Sequence, residues 1–241
     1  MKRYSDIHRQ RGFTLVEIAI VLMIVGLLIG GILRGQEMIQ SARVRNVIDQ
    51  KSAIQTAYVG FLDRYRMLPG DLTAAQAAVV GNGAVATTLL PIGDGLITAN
   101  SEGILFFQNL TAAGFLSCGA CMTVTALTGP GTANVANSPV NVFGDFLDIG
   151  YRNSSNVGTS WFDTTNNLFQ LTLTTGGTIP SQVLAEVDRK ADDGSPETGQ
   201  LRFFPGPNAN SVIGVCAPVP LGGVRAWANP SQSNCQGAWL L

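Results

Sequence analysis

The sequence predicts an α+β protein. One very long N-terminal α-helix, its first half able to span a membrane, is packed on a small antiparallel β-sheet domain. Three observations carry this. Phe13–Leu33 is apolar apart from Glu17, and a helix of that length covers roughly 30 Å, the hydrocarbon thickness of a bilayer. No proline interrupts Phe13–Leu68, so the helix runs on past the membrane. Farther along, Phe169, Leu171 and Leu173 alternate with polar residues, the period of a half-buried strand.

The elements follow in order. Met1–Gly12 is a short leader in which Lys2, Arg3, Arg9 and Arg11 outnumber Asp6. It is no secretory signal peptide, because the apolar run after it is too long and ends without a small-residue cleavage site. Basic residues before the span favour a cytoplasmic leader. The bulk of the chain then lies outside the cytoplasm, where disulfides persist. The spanning half covers 13–34. The second half, 35–68, carries Val47, Ile54, Tyr58, Phe61, Leu62 and Tyr65 on one face at helical spacing. Gly26, Gly30, Gly31 and Gly35 suit close helix packing.

Met67-Leu68-Pro69-Gly70-Asp71 stops the helix and opens the globular domain, 69–241. Asp71 is a candidate cap for a short helix over Leu72–Val80. A second amphipathic helix is expected at Ser101–Ala113, ended by Gly114. Gly-, Asn- and Ser-rich sequence from Ser117 to Ser160 reads as long loops. Short strands are expected around Val140–Phe143 and Phe146–Tyr151. After the Phe169–Thr174 strand, Pro180 begins a helix that ends near Asp193-Gly194. Leu201–Phe204 is a strand. The tail from Gly206 is rich in Pro, Gly and Asn, with apolar pieces at Val212–Val215 and Val224–Trp227.

Composition narrows the chemistry. The formal net charge is −1, and removing the leader takes it to about −4, so nucleic acid is not an expected partner. The single histidine, His8, is in the leader. The remaining chain lacks the usual general base and the commonest metal ligand. No phosphate-binding loop, nucleophile elbow or paired-carboxylate arrangement is present, and an enzyme is not expected. Trp161, Trp227 and Trp239 read as core or rim anchors.

Glu17 is the residue in need of an explanation. A carboxylate inside a spanning segment is costly without a partner, and the apolar run offers no cation. Cleavage after Gly12 would create one, the free amine of Phe13, and Glu17 of one copy could pair with that amine on another.

Arg11-Gly12-Phe13-Thr14-Leu15-Val16-Glu17 followed by an apolar helix resembles the processing site of type IV prepilins and type II secretion pseudopilins. The resemblance implies cleavage by prepilin peptidase after Gly12, N-methylation of Phe13 and an assembly role for Glu17. It extends to Tyr65-x-x-Leu68-Pro69-Gly70-Asp71 and to Phe106–Leu116. It implies a structural filament subunit, most plainly a type II secretion pseudopilin. Its expected partners are other pilin or pseudopilin subunits, the peptidase, an inner-membrane assembly platform and membrane lipid. The chain would begin as a single-pass inner-membrane protein with its C-terminal domain in the periplasm, then enter a periplasmic or extracellular filament. The 229 residues after Gly12 are more than major pseudopilins usually have, which favours a minor subunit. The rivals are a surface type IV pilin for adhesion, motility or DNA uptake, and a membrane-anchored binding protein that never polymerises.

Two side-chain groups remain. Cys118, Cys121, Cys216 and Cys235 allow three pairings, and spacing favours Cys118–Cys121 and Cys216–Cys235. A C-terminal disulfide loop also resembles type IV pilins. Asp188, Asp192 and Glu197 are candidate Ca²⁺ ligands beside a tight turn, in keeping with the calcium that some pseudopilins bind. The alternative is a solvated helix end, with Lys190 paired to a carboxylate and Gly194 as the cap. No other cofactor is expected.

Overall fold

A computed structural model describes residues 14–88, 90–124, 131–152, 170–205, 213–218 and 225–241. The chain divides into two compact units, Met1–Ala42 and Arg43–Leu241. Helix α1, Leu15–Tyr65, runs through both. It has 51 residues. It ends three residues short of Leu68, because Arg66 adopts a left-handed φ of 55° and Pro69 follows.

In the first unit, α1 is long and apolar enough to cross a membrane, and none of that stretch is buried. Every large apolar side chain from Leu15 to Leu33 is exposed. At Gly26, Gly30, Gly31 and Gly35 nothing lies within 4 Å of where a Cβ would sit. Such a surface is stable against lipid or against other apolar helices, not against water.

In the second unit α1 buries one face: Val44, Val47, Ile54, Ala57 and Phe61. Tyr58 and Tyr65 are half-buried and pack against the same core. Phe61 stacks near Tyr65, with ring centroids 4.8 Å apart, and meets Phe115 edge-on at 6.2 Å. Helix α2, Ala74–Val80, follows the turn. Its cap is Thr73 rather than Asp71. Thr73 and Gln76 form a reciprocal capping box that satisfies donors at both ends of the first turn. Asp71 lies too early to reach it. Its buried carboxylate accepts instead from Gly93 N at 2.6 Å and Gly95 N at 2.8 Å, pinning the next loop.

Helix α3, Ser101–Ala112, is buried along almost its whole length, polar residues included. Its outer side is covered by the 70–98 segment. Gln108 Nε2 donates to Gly83 O at 2.6 Å, Val85 N donates to Gln108 Oε1 at 3.0 Å, and Gly70 N donates to Asn109 Oδ1 at 2.8 Å. Buried polar groups are tolerated when they are paired in this way.

Among the described residues the sheet has four short antiparallel strands: β1 (Ile149–Arg152), β2 (Gln170–Thr174), β3 (Leu201–Phe203) and β4 (Gly237–Leu240), in the order β1-β2-β4-β3. Strand β4 was not expected. It lies in the centre, with Trp239 opposite Leu173 of β2 and Leu201 of β3. Val140–Phe143 is not a strand, and only a single bridge joins Val140 to Phe146. Strand β1 starts three residues later than Phe146. Phe169, the expected start of β2, lies outside the described residues. Helix α4, Ser181–Ala191, precedes β3, and a one-turn helix α5, Ile213–Cys216, sits in the tail. Trp227 and Trp239 are both in the core, while Trp161 lies outside the described residues.

Both outer edges of the sheet are occupied. On β1, Tyr151 N donates to Ile97 O at 2.8 Å. On β3, Leu201 N donates to Asp192 Oδ2 at 2.7 Å, and Phe203 N to Pro196 O at 2.8 Å. Asp148, just before β1, and Arg152, at its end, form a buried ion pair. Its spare bonding capacity is used: Asn100 N donates to Asp148 Oδ1 at 3.0 Å, and Arg152 Nη1 to Thr172 Oγ1 at 2.7 Å. A buried pair completed in this way is costly to break by removing one partner.

The approach of α3 to β1 needs glycine. A Cβ on Gly103 would collide with the Ile149 carbonyl and lie 2.7 Å from Asp148 Oδ1. A Cβ on Gly150 would lie 2.6 Å from the Ala99 Cα. Both obstacles are backbone, so neither can be relieved by turning a side chain. Gly103→Ala should therefore destabilise the second unit by about 1–3 kcal/mol. Denaturant unfolding of the full chain in detergent measures this, and an unchanged midpoint would contradict the close approach.

Candidate functional site

Gly12 and Phe13 lie outside the described residues, so the cleavage and methylation positions rest on sequence. The helix that follows them is described from Thr14. Thr14 stands just before the first turn of α1 and Glu17 is three residues on. Thr14 N and Thr14 Oγ1 each donate to Glu17 Oε2 at 2.8 Å. Glu17 N donates back to Thr14 Oγ1 at 3.3 Å. This is a capping box, the arrangement that Thr-x-x-Glu favours at a helix start. Thr14 was missed in the reading of the sequence, although that spacing was there to find. Among the described residues no ion pair involves Glu17.

The four cysteines form two disulfides, Cys118–Cys121 and Cys216–Cys235. Both bonds sit within the core cluster. The second joins α5 to the residue before the β4 approach, and Cys235 also bridges to Ile179. It closes a sequence separation of 19, which chain entropy values at about 3 kcal/mol.

The acidic turn is resolved residue by residue. Asp188, Asp192 and Asp193 each place a carboxylate oxygen within 4.8 Å of the others. Glu197 is not in that group; its Oε1 pairs with Arg225 Nε at 2.8 Å. Lys190 pairs with Glu186 at 2.6 Å. The carboxylates serve the turn itself. Asp188 accepts from Gly194 N at 3.1 Å and from Trp227 Nε1 at 2.6 Å. Asp193 accepts from Ser195 N at 2.9 Å and from the Thr198 hydroxyl. Asp192 caps the edge of β3 through Leu201 N. The three residues marked in the sequence thus do not converge on one point.

Asp188 is fully buried, and its carboxyl is pushed up to about 6. Burial is the largest cause; the bonds from Trp227 and Gly194 oppose it. A raised carboxyl holds its proton in the folded state after the unfolded chain has lost it. Its stabilising contribution is therefore full below about pH 4 and is lost as pH rises through 6. The loss amounts to at most about 3 kcal/mol at 1.36 kcal/mol per unit. Asp188→Asn should flatten that part of the stability profile between pH 4 and 7.5. Chemical unfolding of the full chain in detergent tests this, and parallel profiles for wild type and variant would refute it.

Residues 7–33 match the family described as the prokaryotic N-terminal methylation motif. No curated protein and no solved structure matches the chain. The matched stretch holds the leader end, Gly12, Phe13, the Thr14–Glu17 box and the exposed apolar run of α1. That motif is the hallmark of type IV pilins and pseudopilins, so the chain carries a type IV pilin-like N-terminus, and its apolar helix fits a single-pass membrane anchor.

Proposed function

We propose that the protein is a minor structural subunit of a type IV pilus-like filament, as a type II secretion pseudopilin. In this reading prepilin peptidase cleaves after Gly12 and the Phe13 amine is methylated. The subunit waits in the inner membrane with its second unit in the periplasm, and an assembly platform moves it into the fibre. The observation that carries the reading is the methylation motif, which overlaps the stretch Leu15–Leu33 of α1, where every large apolar side chain is exposed and the one carboxylate is Glu17. Exposed apolar surface of that extent calls for lipid first and for neighbouring helices afterwards. The lateral partner for Glu17 is a cationic N-terminus, because a carboxylate in an apolar core needs an opposite charge. A surface type IV pilin is the second reading. The C-terminal Cys216–Cys235 loop favours it.

Two measurements test the proposal. Mass spectrometry of the membrane-extracted protein should find Phe13 as the N-terminus, carrying one added methyl group. An intact Met1 in cells with active prepilin peptidase would refute the class of function. Glu17→Val should still insert and still be cleaved, since the leader and Gly12 are unchanged. Its incorporation into filaments should fall about tenfold or more, because a neighbour's amine would lose its counter-charge. Wild-type incorporation of the cleaved variant would remove Glu17 from assembly.

A further inference from the structure

The turn from Val140 to Phe146 carries apolar side chains on its outside. Val140 and Val142 are 41% and 40% exposed, and Phe143 is half-buried. We propose that this turn and Arg43 of α1 form a lipid-contact surface, by which the second unit rests on a bilayer with anionic headgroups. The proposal depends on the single-pass anchor and not on the filament reading.

The backbone of the turn suits an apolar medium. Hydrocarbon offers no hydrogen bonds, so a turn that dips into the headgroup–acyl boundary has to satisfy its own amides. Here Asn141 N donates to Asp145 O at 2.8 Å, and Gly144 N donates to Asn141 O at 3.1 Å. Asn141 Oδ1 accepts from Phe143 N at 2.8 Å and from Asp145 N at 3.1 Å. Phe146 N donates to Asp145 Oδ1 at 2.9 Å. The Asn141 side chain is buried, and its Nδ2 donates to Thr175 O at 2.6 Å, which ties the turn to the end of β2. The valines therefore stand on a closed turn, and contact requires little further ordering of the chain.

Charge and tether then select the occupant. The Arg43 guanidinium lies 5.5 Å from the centroid of the Phe143 ring, a cation–π contact. Gln50 Nε2 donates to Val140 O at 3.0 Å, so α1 holds the turn at two points. A cation next to apolar tips matches an anionic bilayer surface, with the apolar groups in the boundary and the cation among the headgroups. The one carboxylate of the turn, Asp145, is engaged by Phe146 N and Gly177 N. Arg43 is also where the second unit begins, and the apolar run ends at Leu33, ten residues before it. So short a tether keeps the local concentration of lipid high, and a small contact surface is then populated.

The test uses the full chain reconstituted into vesicles, of phosphatidylcholine alone or of phosphatidylcholine with phosphatidylglycerol. All four native cysteines are in disulfides, so one introduced cysteine carries a fluorophore. Val142→Cys reports on the turn, and Val79→Cys, at an exposed position of α2, is the reference. Lipid bearing a spin label quenches a fluorophore that lies at the boundary. In anionic vesicles the probe at position 142 should be quenched several-fold more than the probe at position 79. Arg43→Gln should remove most of that difference, and so should leaving out phosphatidylglycerol. A probe introduced by Val140→Cys should repeat the result, which guards against a turn disturbed by the first label.

Equal quenching at positions 142 and 79 in anionic vesicles overturns the proposal. So does quenching at 142 that is unchanged by Arg43→Gln or by the lipid mixture, because headgroup charge would then play no part. Self-quenching between chains that fades on dilution with lipid, with no response to the labelled lipid, assigns the turn to a second copy and overturns it too. The vesicles hold no assembly machinery. Failure here leaves the filament reading untouched, and failure of that reading leaves this surface standing.

Discussion

The folded unit depends on the contact between α1 and the central strand of the sheet. Trp239 of β4 is 2% exposed, and the Lys51 ammonium of α1 lies 5.3 Å from its ring centroid. That residue pairs across to Leu173 on one side and Leu201 on the other. Helix, β2 and β3 are therefore tied together by a strand of four residues next to the end of the chain. The indole supplies the buried area and the lysine ammonium sits over its face, a cation–π contact. Burial holds the Lys51 ammonium below its ordinary range, while Asp192 works against that shift.

Much of this was legible in the sequence where periodicity was long. Helix α1 was legible because its one-face pattern extends over many turns. Helix α4 was legible because Val183, Leu184 and Val187 share a face and all three are buried. Strand β4 was not, because Gly-Ala-Trp-Leu is too short to show alternation and follows a Pro/Gly/Asn-rich tail. Its place in the sheet is set by β2 and β3, dozens of residues away. The same limit explains Glu197. It is near Asp192 in sequence, but Arg225, 28 positions on, takes its carboxylate. At the cap of α2, Thr73 and Gln76 carried the stronger signal than Asp71. At the start of α1, attention to the charge of Glu17 concealed the ordinary helix-start spacing it makes with Thr14.

Burial of carboxylates recurs through the unit, and at Asp71 and Glu102 the segment held is a loop rather than another element. Asp71 holds Gly93 and Gly95. Glu102 accepts from Thr98 N at 2.8 Å and from the Thr87 hydroxyl at 3.0 Å. Burial raises both carboxyls above their ordinary range, and their loop bonds pull in the opposite direction. A chain with little charge and 28 glycines has long connections to restrain. A buried acceptor that gathers two backbone or hydroxyl donors restrains a loop at two points with one side chain.

The occupied edges of the sheet have a consequence for how such a chain can associate. An open strand edge is a template on which any extended segment can add, including a second copy in the wrong register. Here Ile97 lies against β1, and Asp192 and Pro196 lie against β3. Strand-by-strand recruitment therefore finds no free row of amides at these positions. Under the filament proposal, molecules crowded together in a membrane would meet through their apolar helices without seeding cross-β stacks, and the route to ordered polymer would be kept apart from the route to aggregate.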